Sequence, residues 1–226
     1  PGAYRQRRQH PAVTAANQVA AKTGGRVKAG LIGRGLAAAA DQLDGTGIAV
    51  LFLTDAEPLA NYNALKYARA LVAMIQKADP QVVLLAASFM GRDLAPRVAM
   101  RLGAGLATDC TELTIDASGA LVARRPIYAG KATTGVHFNA SKVQMTSVRP
   151  NAYASPPGGG PKAERVEVVF TPDASDDRQM TKEIARTGGG EKDVTEASIV
   201  VSGGRSLKNE ANFKIIADLA HVLDAA

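Results

Sequence analysis

Apolar positions along the chain switch between a helical and an extended period, in a regular order. From Ala12 to Thr23 the residues Val13, Ala16, Val19 and Ala20 recur at helical spacing, and Gly24-Gly25 ends the run. Val27 to Ile32 then reads as a strand. Gly33-Arg34-Gly35 introduces an alanine-rich helix reaching about Leu43, and Gly45 to Gly47 lead into Ile48 to Leu53, an unbroken apolar run. Such a run is expected of a strand covered on both faces, as in parallel sheets flanked by helices. Tyr62 to Ala78 predicts a longer helix, stopped by Asp79-Pro80. Val82 to Ala87 predicts a second doubly buried strand, and Gly91 to Leu102 the next helix. The chain opens on this rhythm with a helix, so a leading strand is expected to precede it.

After Gly103 the rhythm changes. Thr111–Ile115, Leu121–Ile127, Ala132–Asn139 and Lys142–Val148 read as short strands between small polar turns, which predicts an antiparallel extension of the parallel sheet. The stretch 151–161, with Pro156, Pro157, Gly158 to Gly160 and Pro161, holds neither helix nor central strand and reads as a loop or linker. Val166 to Phe170 predicts a strand, Asp173 to Asp177 a solvated turn, and Met180 to Arg186 fits strand or helix equally. Gly188-Gly189-Gly190 predicts a second joint. Ser198 to Ser202 then predicts a buried strand, followed by a helix from Lys208 to Leu223 with Phe213, Ile216, Ala217, Ala220 and Leu223 on its inward face. The fold class that follows is α/β: a mainly parallel, Rossmann-like sheet flanked by helices, with an antiparallel extension, and then a second α/β domain represented only by its opening strand and helix. The domains expected are 1–190 and 196–226. A lone strand and helix cannot bury both of their faces, so the second is expected to be a truncated part of something larger.

Composition narrows the class without naming an activity. At 226 residues the chain has room for one to two domains of about 150 residues each. Hydrophobic residues make up 46% and charged residues 21%, the balance of a globular protein rather than a disordered or fibrous one. No apolar run approaches the roughly 18 residues of a membrane-spanning helix. One cysteine, Cys110, and three histidines leave no framework for disulfides or a Cys/His zinc site. A reducing compartment follows, the cytoplasm, with the mitochondrial matrix as the alternative. The net charge of +6 is concentrated at the start, where Arg5, Arg7, Arg8, Lys22, Arg26, Lys28 and Arg34 precede the first acid, Asp41. Cationic, acid-poor starts suit nucleic acid, anionic lipid or a transit peptide. Here the first serine is Ser88 and only Tyr4 stands among the arginines, so a solvated basic face is favoured and no nucleic-acid partner is expected.

Three glycine turns follow predicted strands and precede predicted helices: Gly30 to Gly35, Ser88 to Arg92, and Ser202 to Ser206. Glycine allows close approach of the backbone to a phosphate, and helix amides with an arginine add positive potential. None has dinucleotide or P-loop spacing. A tight βα turn is the simpler reading of the first two. An adenine nucleotide at Gly33 or Gly91 is the alternative. The third, with Gly203, Gly204 and Arg205 between two serines, is equally suited to a turn and to a pyrophosphate or polarised ring. Catalytic constellations are lacking: His10, His137 and His221 have no nucleophile motif beside them, Cys110 has no basic neighbour in sequence, and Asp173, Asp176 and Asp177 suit a solvated turn better than a metal. A catalyst acting on its own substrate is not expected, and neither a catalytic residue nor a metal ligand is assigned.

The run Val83 to Leu113, with its glycine turn, its Leu94-Ala95-Pro96-Arg97-Val98-Ala99 helix and Asp109 in the following strand, resembles the electron transfer flavoprotein alpha-subunit family. Arg124-Arg125-Pro126-Ile127-Tyr128-Ala129-Gly130-Lys131-Ala132 and Ile199 to Lys208, which contains Ser202-Gly203-Gly204-Arg205, resemble two further segments of that family, in the same order. Ser206 stands where the family usually has glycine. The resemblance covers the chain from about residue 12. It implies an FAD-carrying heterodimer with a beta subunit, taking electrons from dehydrogenases such as acyl-CoA dehydrogenases in fatty acid oxidation and passing them to a membrane quinone reductase. It also implies FAD contacts at Arg205, with Gly203 and Gly204 shaping the turn.

Overall fold

Helix α1 (Pro11–Thr23) ends where Gly24 takes a φ of +68° and the Gly25 N–H returns to the Ala20 carbonyl at 3.1 Å. Only glycine takes that left-handed step without cost. The computed structural model describes residues 11–139, 141–156, 158–183, 194, 197 and 199–226. His10 and the arginines at 5, 7 and 8 lie outside them, as does the Gly188–Gly190 segment. The chain divides into two units, one running to Thr181 and one from Lys182 to Ala226.

In the first unit, β1 (Lys28–Gly33), α2 (Ala37–Asp41), β2 (Val50–Asp55), α3 (Ala64–Ala78), β3 (Val82–Ala86) and α4 (Phe89–Leu102) follow the predicted alternation. α2 is shorter than its alanine run suggested. The chain leaves it through Gly45 and Gly47, at φ of +77° and +90°, with the Thr46 hydroxyl donating to the Leu43 carbonyl at 2.6 Å. α3 starts at Asn63, whose side-chain oxygen accepts from the Leu65 and Lys66 amides at 3.0 and 3.1 Å. Asp79, at φ +42°, ends it.

Next come β4 (Gly105–Cys110), β5 (Glu112–Ile115), β6 (Leu121–Ile127), β7 (Ala132–His137), β8 (Gln144–Val148) and β9 (Glu164–Glu167). Parallel pairing builds two three-stranded sheets, β1-β2-β9 and β3-β8-β4, while β5-β6-β7 is antiparallel. The expected fold class is therefore present in this unit. Two expectations change. The segment 142–148 does not join the antiparallel extension; as β8 it runs parallel between β3 and β4. Its Met-Thr-Ser-Val run carries two adjacent polar residues, as a solvated edge would, yet all four residues are buried. The Thr146 hydroxyl pays for burial by donating to the Ala107 carbonyl at 3.0 Å, and the Ser147 hydroxyl accepts from the Asp109 amide at 2.9 Å. The second change is β4 itself, which begins at Gly105, whereas the residue pattern predicted a strand only from Thr111 and the resemblance one around Asp109.

Helices cover both sides of the β3-β8-β4 sheet. α3 and α4 pack Tyr67, Ala68, Ile75, Leu94 and Val98 around Met145, while α1 sets Ala15 and Val19 against Ala107, Cys110, Leu121 and Val148. The proline- and glycine-rich segment 151–161 is an excursion within this unit, since β9 rejoins the first sheet after it. It packs on Gly45, where an added Cβ would sit 3.0 Å from the Gly159 nitrogen. The expected solvated turn at Asp173–Asp177 is a 3-10 turn (Ala174–Arg178) with Asp176 buried, because Arg69 of α3 reaches it at 2.6 Å.

The second unit carries α5 (Lys214–Val222), preceded by 3-10 turns at Arg205–Leu207 and Glu210–Phe213. The expected strand at 198–202 is not formed over its described residues, 199–202. Among the described residues its backbone pairs with Ala226: Val201 N–H donates to Ala226 and Ala226 N–H to Ile199, at 2.8 and 3.0 Å. The helix also begins later than expected, because Lys208 takes a φ of +67° and Asn209 caps a separate turn through the Asn212 amide. Of its predicted inward face, Ile216 and Ala220 are half-buried, whereas Phe213, Ala217 and Leu223 are exposed. No helix among the described residues is long and apolar enough to cross a membrane.

Candidate functional site

The first two glycine turns are filled by the protein's own groups. At the end of β1, the Gly35 and Leu36 amides donate to the Asp55 carboxylate at 3.0 and 2.8 Å, and Arg34 bridges Asp55 and Glu57. Those amide bonds, helped by Arg34, hold the Asp55 carboxyl below the ordinary range. A nucleotide phosphate there would have to displace a carboxylate that already occupies the anion position. At the end of β3, the Ser88 hydroxyl accepts from the Gly91 amide at 3.2 Å. A Cβ on Gly91 would overlap the Ala86 carbonyl oxygen. Glycine is thus required here by helix–strand packing, which answers the nucleotide reading of both turns.

The third turn, in the second unit, is open. Gly204 is extended (φ −125°, ψ −168°), and a Cβ there would meet nothing within 4 Å. Gly203 is different: a Cβ would collide with the Leu207 side chain and lie 3.1 Å from Ile216. Arg205 begins the following 3-10 turn with its side chain exposed. The three residues therefore divide their roles. Gly203 lets the turn pack on α5, while Gly204 leaves backbone accessible beside an exposed guanidinium.

A second polar centre lies at the carboxyl ends of β4 and β8. The register of β4 against β8 breaks between Ala107 and Cys110, a bulge that turns Thr108 and Asp109 out of the ladder, with Asp109 at φ +57°. The Arg149 guanidinium grips the Asp109 carboxylate with two bonds, at 3.1 and 2.6 Å, and Arg92 of α4 stands 3.7 Å away. The Arg149 hydrogen bond keeps the Asp109 carboxyl below its usual range, with Arg92 and Arg125 adding to it. Arg125 of β6 donates to the Thr108 hydroxyl at 2.9 Å. Beside this cluster opens a cleft of about 540 Å³, lined by Arg125, Arg149 and the Pro126–Gly130 segment. Neighbouring Cys110 is fully buried and burial pushes its thiol up, so it is an inert core residue. Sequence reasoning missed this centre. Its Arg125 and Asp109 stand within recognisable motifs, but nothing in the sequence links Arg149 to them. His137 stands on β7 and His221 on α5.

The first unit is of the α/β class, with helices on both faces of a parallel sheet and polar groups at the strands' carboxyl ends, the edge at which such sheets receive ligands. Residues 9–174 match the model of the electron transfer flavoprotein domain, and the chain belongs to that family, in its alpha-subunit branch. It is 35% identical over 210 residues to an electron transfer flavoprotein subunit alpha from Thermoanaerobacterium thermosaccharolyticum, covering 92% of this chain and 63% of that protein. A subunit alpha from Syntrophomonas wolfei is 36% identical over 207 residues, covering 92% and 64%. Protein FixB of Azotobacter vinelandii is 34% identical over 177 residues, covering 77% and 49%. The chain thus spans less than two thirds of the length of these relatives.

Proposed function

We propose that this chain serves in an electron transfer flavoprotein as its alpha subunit, paired with a beta subunit around one FAD. In this reading it acts as a carrier in the cytoplasm, receiving electrons from dehydrogenases such as acyl-CoA dehydrogenases and delivering them to a membrane quinone reductase. Residues 1–190 form the domain that meets the beta subunit, and residues 196–226 open the flavin domain. FAD supplies the one- and two-electron chemistry when bound, and the protein's part is to hold it and set its electrostatic surroundings.

The observation that carries the reading is the Gly203-Gly204-Arg205 turn. Its exposed guanidinium stands next to Gly204, where an added Cβ would meet no atom of the described residues within 4 Å, an arrangement that fits the anionic and carbonyl oxygens of a flavin nucleotide. Arg205 would donate charge-assisted hydrogen bonds to such oxygens, Gly204 would admit the close approach, and Gly203 would hold the turn against α5.

The test is an Arg205→Ala substitution in the complete subunit, produced with its cognate beta subunit. Losing one charge-assisted bond should weaken flavin retention about tenfold or more, read from flavin absorbance per heterodimer after dialysis. Unchanged flavin content and redox potential would remove Arg205 from the site. A wild-type preparation that neither associates with the beta subunit nor carries flavin would overturn the reading as a whole.

A further inference from the structure

We infer that the cleft between Arg125, Arg149 and the Pro126–Gly130 segment binds a phosphate group, free or carried by a small organic molecule. It lies in the first unit and is argued independently of the flavin turn.

Charge is the first argument. Three guanidinium groups, those of Arg92, Arg125 and Arg149, surround the single carboxylate of Asp109; two of them, Arg125 and Arg149, line the cleft, and no acidic side chain among the described residues does. Asp109 does not fill the site; it positions Arg149. By engaging Nε and one Nη through both carboxylate oxygens, it fixes the plane of the guanidinium and leaves the other Nη without a partner among the described residues. Arg92 is likewise tethered, its Nε donating to the Ala87 carbonyl at 2.9 Å. Arginines locked in this way lose little side-chain entropy when an anion arrives.

The second argument is an unsatisfied donor. Arg125 Nε is buried and has no hydrogen-bond partner among the described residues, although the same guanidinium holds Thr108. A buried charged donor without an acceptor is costly. An anion in the cleft would not pair that nitrogen, but it would place an opposite charge on the terminal nitrogens of the same guanidinium.

Backbone geometry is the third. Of the five described non-glycine residues of this unit with positive φ, three border the cluster: Asp109 at +57°, Tyr128 at +50° and Ala129 at +53°. With Gly130 at +86°, the rim has three successive left-handed residues. Such strain persists where surrounding structure enforces it, and it concentrates at ligand sites. Here it holds up the Tyr128 side chain, 78% exposed, as a free aromatic face beside the arginines. A tetrahedral phosphate suits the guanidinium donors, and a planar ring attached to it suits Tyr128. The position, outside the carboxyl ends of parallel strands, is where α/β sheets receive ligands.

The experiment is calorimetric titration of the 226-residue chain at low salt with inorganic phosphate, pyrophosphate and AMP, alongside a map of amide shifts by NMR. Saturable binding of pyrophosphate is expected, with shifts gathered on residues 125–131 and around Arg149. Arg125→Met should weaken it about tenfold or more, while Arg101→Met, an exposed arginine at the far end of α4, should leave it unchanged. AMP binding more tightly than pyrophosphate, with the gain abolished by Tyr128→Ala, identifies an organic phosphate as the ligand. Equal affinities identify the inorganic anion. Absence of saturable binding, equal losses in Arg125→Met and Arg101→Met, or shifts located elsewhere would overturn the inference. Should Arg125→Met melt well below the wild type, the wild-type shift map decides alone.

Discussion

Substituting Gly91 by alanine sets two physical effects of opposite sign against each other. Gly91 lies in the first turn of α4, in ordinary helical conformation, so intrinsic propensity alone predicts that Gly91→Ala stabilises the protein by about 1 kcal/mol. The tertiary structure predicts the reverse. The new methyl would overlap the Ala86 carbonyl oxygen and lie 3.0 Å from the Ala86 carbonyl carbon. Both are backbone atoms of β3, and Ala86 is locked in register with Val148. The Ala87 amide, bonded to the Val148 carbonyl at 2.7 Å, leaves the strand no freedom to retreat. Relief therefore requires the start of α4 to lift from the sheet. Overpacking of this kind costs roughly 1–3 kcal/mol. Lifting also stretches the Ser88 cap, worth about 1 kcal/mol, and loosens the packing of Leu94, Ala95 and Val98. Set against the propensity gain, a net loss of about 2 kcal/mol is expected. Urea unfolding followed by circular dichroism should give a lower midpoint at unchanged slope. Gly135→Ala is the control, because its Cβ would make an ordinary contact of 3.7 Å with Val122, and its effect should stay within about 1 kcal/mol. A Gly91→Ala protein as stable as the wild type, or more so, would refute the argument.

Asp176, buried and bonded by Arg69 at 2.6 and 3.1 Å, pins the 171–181 segment to α3. Asp176→Asn removes the nearer of the two carboxylate charges on Arg69, which is one-third exposed and keeps Asp173 at 3.4 Å, so the loss should be about 2 kcal/mol, below that of a fully buried pair. Faster hydrogen exchange confined to that segment and its contacts would register it, and unchanged exchange would refute it. Asp109 provides a pH test. Its folded pKa lies below the unfolded value, chiefly through Arg149. The stability it contributes is therefore present above about pH 4 and is lost as pH falls through the folded pKa. The difference in stability between wild type and Asp109→Asn should be largest near neutrality and shrink toward pH 2; a difference constant across that range would refute the assignment.

Local pattern made much of the first unit legible. Continuous apolar runs identified β2 and β3, helical spacing identified α1 and α3, and glycine with Asp79-Pro80 marked their ends, because these signals arise within one element and its immediate neighbours. The 142–148 segment shows where that stops. Its two adjacent polar residues are satisfied by Ala107 and Asp109, residues far away in sequence, so nothing local reveals a central strand. The second unit shows the converse. Ile199 to Ser202 has strand-like composition but no strand beside it among the described residues, and strand formation depends on a neighbour's hydrogen bonds.

The sequence by itself determined the α/β class, the three glycine turns and the segments that resemble the flavoprotein family. Only the tertiary structure decided which turns are free. It gave the amides of the first turn to Asp55 and the glycine of the second to the Ala86 carbonyl, and left Gly204 uncovered beside Arg205. It also assembled Arg92 of α4, Asp109 of β4, Arg125 of β6 and Arg149 just after β8, which lie in separate stretches of chain. The reason is physical: backbone conformation is written in neighbouring residues, whereas the occupancy of a donor depends on whichever acceptor folding brings within about 3 Å of it.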